Sequence, residues 1–220
     1  MLELTNGLLD PGAGSHANVF YALARALEPP RSWDADLPGL LASSLGTMPE
    51  PLGKLGQKLS RQVSEILEDR EQAAIDHAKL FLGPFEILVA PWASFYLERE
   101  PRLMGPTSTY AARAYAEAGL APGNKLKDVP DHVTHELEFM YFMAFSQATT
   151  GDPMWADRQA RFWREHLGCW LPKFAEALEH VVAHPFYQTL AQTIAGICAI
   201  ESDVLGTPSP AASCEAETPT

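Results

Sequence analysis

The stretch that decides the fold is Asp128-Val129-Pro130-Asp131-His132-Val133-Thr134-His135-Glu136-Leu137-Glu138-Phe139-Met140. Pro130 disfavours helical backbone at the residue before it, and Asp131 can accept hydrogen bonds from the exposed amides of a new helix. The pattern therefore predicts a helix that begins at Asp131, with Asp131 as its cap, and runs to about Thr150. Its core-facing side is Val133, Leu137, Met140 and Ala144. The neighbouring stripe is His132, Glu136, Phe139 and Met143. Acidic, imidazole and large apolar side chains thus gather at one helix mouth, which predicts a binding site there.

Helical spacing of apolar residues continues on both sides of this stretch. The predicted helices are 15–28, 37–45, 52–67, 75–82, 106–119, 131–150, 154–167, 172–183 and 186–201. Gly168 predicts the end of one helix and Pro172 the beginning of the next, because glycine permits a left-handed exit and proline suits a first turn. No segment alternates as a strand does. The sequence therefore predicts an all-α compact bundle of about 9–11 helices.

The chain is predicted to comprise a tail over residues 1–14, a helical domain over residues 15–205 and a disordered tail over residues 206–220. The last segment lacks the apolar content needed to fold. Residues 119–130 predict a hinge between two helical halves. Exchange of one half between two copies would give a domain-swapped homodimer, so both monomer and swapped dimer remain open. Residues 84–105 form an irregular apolar loop, a candidate groove wall that protein or a ligand must cover.

The formal net charge is −12, which argues against nucleic acid as a partner and favours a basic one. No positive side chain precedes Arg25, so no secretory or twin-arginine signal is predicted, and we expect a cytoplasmic location. The longest weakly polar run, residues 193–200, is far shorter than the ~20 residues of a membrane span, so no stable membrane insertion is expected. The three cysteines are widely spaced and support neither a disulfide framework nor a zinc motif.

Motifs for catalysis are largely missing. His132, His135 and Glu136 could share a helix face as metal ligands, which leaves a metal-dependent helical enzyme as one alternative, yet their order matches no zinc-protease motif. Gly119, Gly123 and Lys125 have the wrong register for a phosphate-binding loop. No nucleophile elbow occurs. The sequence therefore predicts no catalytic residues and no resident metal or cofactor.

Three segments together carry a resemblance to a known family. They are Leu80-Phe81-Leu82-Gly83-Pro84 followed by Ala90-Pro91-Trp92-Ala93-Ser94-Phe95-Tyr96-Leu97-Glu98-Arg99-Glu100, then Val129-Pro130-Asp131-His132 with Glu136-Leu137-Glu138-Phe139-Met140, then His184-Pro185-Phe186-Tyr187. Over about residues 75–200 the sequence resembles the TorD/DmsD family of redox-enzyme maturation chaperones. The resemblance implies a cytoplasmic, all-helical protein that catalyses no reaction.

The resemblance also implies a site for a signal peptide or client. Residues matching the family's implicated positions are Leu80, Phe81, Pro91, Trp92, Ser94, Asp131 and His132, with Glu136, Phe139 and Met140 following. The chemistry agrees, because a twin-arginine leader offers two guanidinium groups followed by an apolar stretch. We expect the carboxylates of Asp131, Glu136 and Glu138, beside Trp92, Phe139 and Met143, to receive those groups.

The implied function is that of a system-specific chaperone. It would bind the twin-arginine signal peptide, the apo-form of a molybdopterin-containing oxidoreductase, or both, and assist cofactor insertion before export. One alternative is an assembly chaperone that contacts the apo-enzyme body or the cofactor without recognising a leader. The other is the metal-dependent enzyme described above.

Overall fold

The structure, a computed structural model, describes residues 15–83, 87–100, 104–120, 129–181 and 183–210. Its helices are α1 (Ser15–Leu27), α2 (Leu37–Gly46), α3 (Leu52–Glu68), α4 (Glu71–Phe81), α5 (Ser94–Leu97), α6 (Pro106–Glu117), α7 (Val133–Thr150), α8 (Pro153–Phe162), α9 (Gly168–His180) and α10 (Pro185–Leu205). A 3-10 turn covers Pro30–Ser32, and a π turn covers Trp163–Leu167. No strand occurs within these ranges, so the all-α prediction is confirmed.

The helices bury one continuous apolar core. In α1, Phe20 and Leu23 are fully buried, as their helical spacing predicts, and α1 packs against α7 and α2. The helices α2 and α3 approach closely at Gly56, where an added Cβ would lie 2.5 Å from the Leu45 Cβ. On the other side of the core, α10 packs against α9 and α3. Among the described residues, no helix has both the length and the apolar character needed to cross a bilayer.

The predicted break between Gly168 and Pro172 is wrong. The chain runs from α8 through the π turn into α9 without leaving helical conformation, and Pro172 lies inside α9. An added Cβ at Gly168 would lie 2.8 Å from both the Trp163 ring and the Pro208 ring, so this glycine is required by close packing. Pro172 removes one backbone donor, and burial of its neighbours Trp170 and Phe174 offsets that cost.

The segment after α10 covers the π turn. The amide of Ser209 donates a hydrogen bond of 2.7 Å to the carbonyl of Arg164. Residues 206–210 thus contact the bundle, whereas residues 211–220 of the predicted tail lie outside the described residues. The same holds for residues 1–14 and for residues 121–128 of the predicted hinge. The tails, the hinge and the choice between monomer and swapped dimer therefore stay predictions.

The start of α1 is tied to α10 by an ion pair that predicts a pH effect. The Nε2 of His16 lies 2.5 Å from the Oε1 of Glu201, and this hydrogen bond raises the pKa of His16 above its usual 6.5 despite partial burial. Just above pH 6.5 the folded protein therefore binds more protons than the unfolded chain. The stabilisation that the His16–Glu201 pair gives the folded state is complete below that pH, and it is lost as the pH rises through the folded-state pKa of His16.

The effect is tested with the variant His16→Gln, whose side-chain amide keeps a hydrogen-bond donor but does not titrate. We expect the difference in unfolding free energy between wild type and this variant to shrink as pH rises from about 6 toward 8. Urea denaturation across this range measures it. A difference that grows with pH would contradict the assignment.

Candidate functional site

The loop that contains Pro91 and Trp92, here called the proline-tryptophan loop, is hydrogen-bonded to the N-terminal end of α7, called its mouth. Trp92 and His132 form an isolated antiparallel bridge. The amide of Val133 donates to the carbonyl of Pro91 at 2.8 Å, and the amide after Trp92 donates to the carbonyl of Asp131 at 3.0 Å. Two segments that the sequence separates widely are thereby adjacent, as the site prediction required.

Asp131 is not the cap of α7. The cap is His132, whose Nδ1 accepts a hydrogen bond of 3.3 Å from the amide of Thr134. Asp131 is fully buried, and its two carboxylate oxygens accept from the amide of Ser94 at 2.9 Å and from the Oγ of Ser108 at 2.7 Å. The Asp131 carboxylate therefore joins α5, α6 and the entrance of α7, and it holds the loop in place.

Glu136 is also buried and paired. Its Oε1 lies 2.6 Å from the Nε2 of His166, and its Oε2 accepts a hydrogen bond of 2.9 Å from the indole of Trp170. Burial raises the pKa of Glu136, and the adjacent His166 partly opposes this rise. Glu138 is buried as well. The expectation that Asp131, Glu136 and Glu138 face a ligand is therefore wrong. All three side chains are buried, Asp131 against α5 and α6 and Glu136 against the π turn and α9.

The arrangement does not favour the metal alternative. Rings of His132 and His135 lie 5.6 Å apart, but Glu136 points to His166 instead of toward them. His135 is buried, not solvated. Throughout the part of the chain that the structure describes, no group of three or more His, Cys, Asp or Glu side chains is arranged to hold a metal ion.

Leu80 and Phe81 are buried away from the solvent-facing part of the site. Phe81 stacks on Phe174 with ring centroids 6.2 Å apart, and the carbonyl of Leu80 accepts from the amide of Val89 at 2.9 Å. Phe139 and Met140 are equally buried in the core. In this conformation these residues support the loop and α7 from beneath.

The third segment of the resemblance, His184-Pro185-Phe186-Tyr187, also makes contacts that hold the fold together. The amide of His184 donates to the carboxylate of Asp76 at 3.1 Å, and the His184 ring caps α10. The hydroxyl of Tyr187 donates to the carbonyl of Ala73 at 3.2 Å. These contacts fix the start of α10 against α4.

What remains accessible is a small aromatic area, which we call the Trp92 surface and define as Trp92, Phe95 and His132. The Trp92 ring centroid lies 5.9 Å from both the Phe95 and the His132 centroids. Trp92 is half-buried and Phe95 is 50% exposed. The indole nitrogen of Trp92 lies on the buried edge of the ring, without a hydrogen-bond partner in the described part of the chain. Two further apolar side chains of the same connection, Leu88 and Met104, are also more than half exposed.

Sequence reasoning gave Phe95 no place in the site. Its position beside Trp92 in an irregular apolar loop was the available signal, but spacing does not show which aromatic side chains of a loop face solvent. The Trp92 surface is therefore an exposed area of mainly aromatic character. Such a surface can hold the apolar part of a peptide.

A separate shallow crevice lies farther along α7. Its lining includes Tyr110, Phe139, Met143, Phe162, Arg158 and Arg161. The Arg158 guanidinium lies 5.1 Å from the Trp155 ring centroid, and Arg161 donates to Glu117 at 2.8 Å. With two guanidinium groups at its rim, this crevice does not suit a cationic ligand.

Comparison with known proteins gives a match to the family described as nitrate reductase delta subunit over residues 46–176, which is more than half of the chain. The matched residues include the proline-tryptophan loop and the whole of α7. A solved structure, described as a redox enzyme maturation protein from Archaeoglobus fulgidus, has a TM-score of 0.54 at 20% identity, covering 89% of this chain and 99% of that one. At this identity the likeness concerns the fold alone.

Two relatives are similar in sequence. The chaperone protein TorD of Vibrio parahaemolyticus is 28% identical over 147 residues, covering 63% of this chain and 68% of that protein. The Tat proofreading chaperone DmsD of Salmonella typhi is 29% identical over 114 residues, which is 52% of each chain. The match thus spans about half the length of DmsD. Both relatives are named as chaperones and neither as an enzyme, in agreement with the predicted lack of catalysis.

Proposed function

The chain belongs to the TorD/DmsD family of redox-enzyme maturation chaperones, and from this membership we propose that it binds the twin-arginine signal peptide of a molybdopterin-containing oxidoreductase before export. The relatives are named for chaperoning and for Tat proofreading, which supports a client of this kind. The observation that carries the proposal is the Trp92 surface, where exposed aromatic area adjoins the N-terminal end of α7.

The chemistry of a leader fits this surface. Its apolar stretch can cover Trp92 and Phe95, which removes apolar area from water. The net charge of −12 attracts a leader that carries two arginines and raises the rate of encounter. We expect this rate to fall as salt is added.

The buried members of the predicted site have a positioning role in this proposal. Ser94 and Asp131 hold the loop against α6 and α7 through the hydrogen bonds described above. Leu80 and Phe81 anchor the beginning of the loop from the core. The leader contacts Trp92, Phe95 and His132, while the residues behind them keep these side chains in register.

Calorimetric titration with a synthetic twin-arginine leader tests the proposal. Replacing Trp92 with alanine removes the largest apolar contact, worth about 1.5–3 kcal/mol, and we expect binding about 10- to 100-fold weaker. The matched control is Trp155→Ala, which removes another half-buried indole. Trp155 lies on α8 and packs against Phe142 of α7. Equal affinities of wild type and Trp92→Ala would contradict the proposal. Phe95→Ala repeats the test at a half-exposed side chain whose loss leaves the core intact.

An assembly role without leader recognition is the second candidate. It is favoured by the family description as a nitrate reductase delta subunit. Titration with the apo-form of the client oxidoreductase, with and without its leader, separates the two. Affinity that survives removal of the leader favours contact with the enzyme body, whereas loss of affinity favours the leader.

A further inference from the structure

The carboxylate of Glu98 lies at the start of α6, in the segment that follows the Trp92 surface along the chain. Glu98 follows α5 directly, and its amide donates to the carbonyl of Ser94 at 3.0 Å. Its Oε1 accepts a hydrogen bond of 2.9 Å from the amide of Thr107 in the first turn of α6. The side chain is only partly buried. Phe95 stands three residues before Glu98, in the single helical turn that Glu98 ends.

Glu98 and Asp131 bind neighbouring residues at the start of α6. Asp131 accepts from the hydroxyl of Ser108, and Glu98 accepts from the amide of Thr107. The two carboxylates differ in access, because Asp131 is fully buried, with each of its oxygens occupied, whereas Glu98 reaches solvent. Of this pair, only Glu98 can meet a ligand in the observed conformation.

Glu98 has no cationic partner among the residues that the structure describes. In the described ranges, no lysine, arginine or histidine forms an ion pair with it, whereas Glu117 at the other end of α6 pairs with both Arg113 and Arg161. Arg99 is next in sequence and exposed, but neighbouring positions on a turn do not face each other. A partly desolvated carboxylate without a cationic partner is suited to receive one.

Gly105 makes room for this carboxylate. An added Cβ at Gly105 would lie 2.7 Å and 2.8 Å from the two oxygens of Glu98. The φ angle of Gly105 is −71°, which every residue type adopts, so the backbone itself does not require glycine. The close approach of the Glu98 carboxylate is the reason that we find for a glycine here.

We propose that Glu98 receives a guanidinium group of the twin-arginine leader, an inference that rests on the proposed function. The carboxylate keeps lone pairs that no described residue occupies, so a guanidinium can donate hydrogen bonds to it while the apolar part of the leader covers the exposed ring of Phe95. This assignment moves the cation-recognising role from the buried Asp131, Glu136 and Glu138 to a side chain that reaches solvent. The basic rim of the crevice near Arg158 and Arg161 does not compete for the same group.

A double-mutant cycle tests the assignment. Glu98→Gln is combined with a leader in which both arginines are replaced by glutamine, and affinities are measured by calorimetry. We expect Glu98→Gln to weaken binding of the arginine leader by about tenfold and to leave the glutamine leader unaffected. The matched control, Glu100→Gln, removes an exposed carboxylate two residues farther on, and we expect less than about a twofold change.

Gly105→Ala provides a second variant that keeps the charge. The new methyl group displaces the flexible end of Glu98 from its place beside Thr107. We expect weaker binding of the arginine leader at an unchanged net charge.

The outcomes separate this inference from the proposed function. If wild type binds the leader but Glu98→Gln behaves like Glu100→Gln, with no coupling to the arginines, the assignment of Glu98 is overturned and the proposed function stands. If wild type fails to bind the arginine leader at all, the proposed function fails, and the assignment of Glu98 fails with it.

Discussion

Replacing Glu136 with alanine is expected to lower the free energy of unfolding by about 3–5 kcal/mol. The substitution leaves the Nε2 of His166 and the indole N–H of Trp170 without their acceptor in a region from which water is excluded. A lost partner in a buried pair costs more than the pair itself contributes, because the remaining group is neither hydrated nor bonded. The network also joins α7 to the π turn and α9, so its loss loosens two contacts at once.

Urea denaturation followed by circular dichroism measures this effect. Glu136→Gln keeps a carbonyl acceptor of nearly the same shape, and we expect about half of the loss. As a further control, Glu165→Ala removes a partly exposed carboxylate that accepts from the hydroxyl of Tyr110 at 2.9 Å. We expect at most about 1 kcal/mol there. An alanine variant at Glu136 as stable as wild type would show that the pair contributes no net stabilisation.

Replacing Asp131 with alanine is expected to cost about 3 kcal/mol of stability and to abolish leader binding. Two donors, the amide of Ser94 and the hydroxyl of Ser108, lose a charged acceptor inside the protein. The stability loss reflects these unsatisfied donors. The binding loss follows because the same carboxylate fixes the loop that carries Trp92 and Phe95 against the entrance of α7.

Asp131→Asn separates the two effects, since an amide retains one acceptor oxygen and nearly the same shape. We expect it to recover part of the stability and part of the affinity together, as a positioning role requires. Denaturation and leader titration, both at a temperature where each variant is folded, measure the two quantities. Full affinity in the alanine variant would contradict the positioning role, and full stability would contradict the hydrogen-bond account.

The helices were predictable because their signals are local. Apolar residues at spacings of three and four, together with Pro29, Pro106 and Pro185 at or near helix ends, indicate most of the boundaries. The same rules failed at Gly168 and Pro172. There the residues pack against Trp163 and within the core, and these contacts outweigh the local preference to end a helix.

The sequence analysis anticipated that two segments meet, whereas the binding role of their residues stays a prediction. Residues from the proline-tryptophan loop and from the mouth of α7 are adjacent, as the sequence patterns suggested. The access of the carboxylates was not predictable, because a helical pattern shows which side chains share a stripe but not which element covers it. His166 and Trp170 cover Glu136, and Ser94 and Ser108 enclose Asp131. Glu98 had no distinguishing sequence signal, since its accessibility depends on Gly105 and on the start of α6.

The sequence by itself determined the fold class, the limits of most helices, the acidic character and the two segments that meet near Trp92. These properties depend on composition and on short-range periodicity, which are present in any stretch of a few turns. The tertiary structure alone decided which acidic side chains are buried and bonded and which reach solvent. Burial depends on neighbours brought together from distant parts of the chain, and these neighbours determine whether a carboxylate stabilises the fold or remains free to bind a cation.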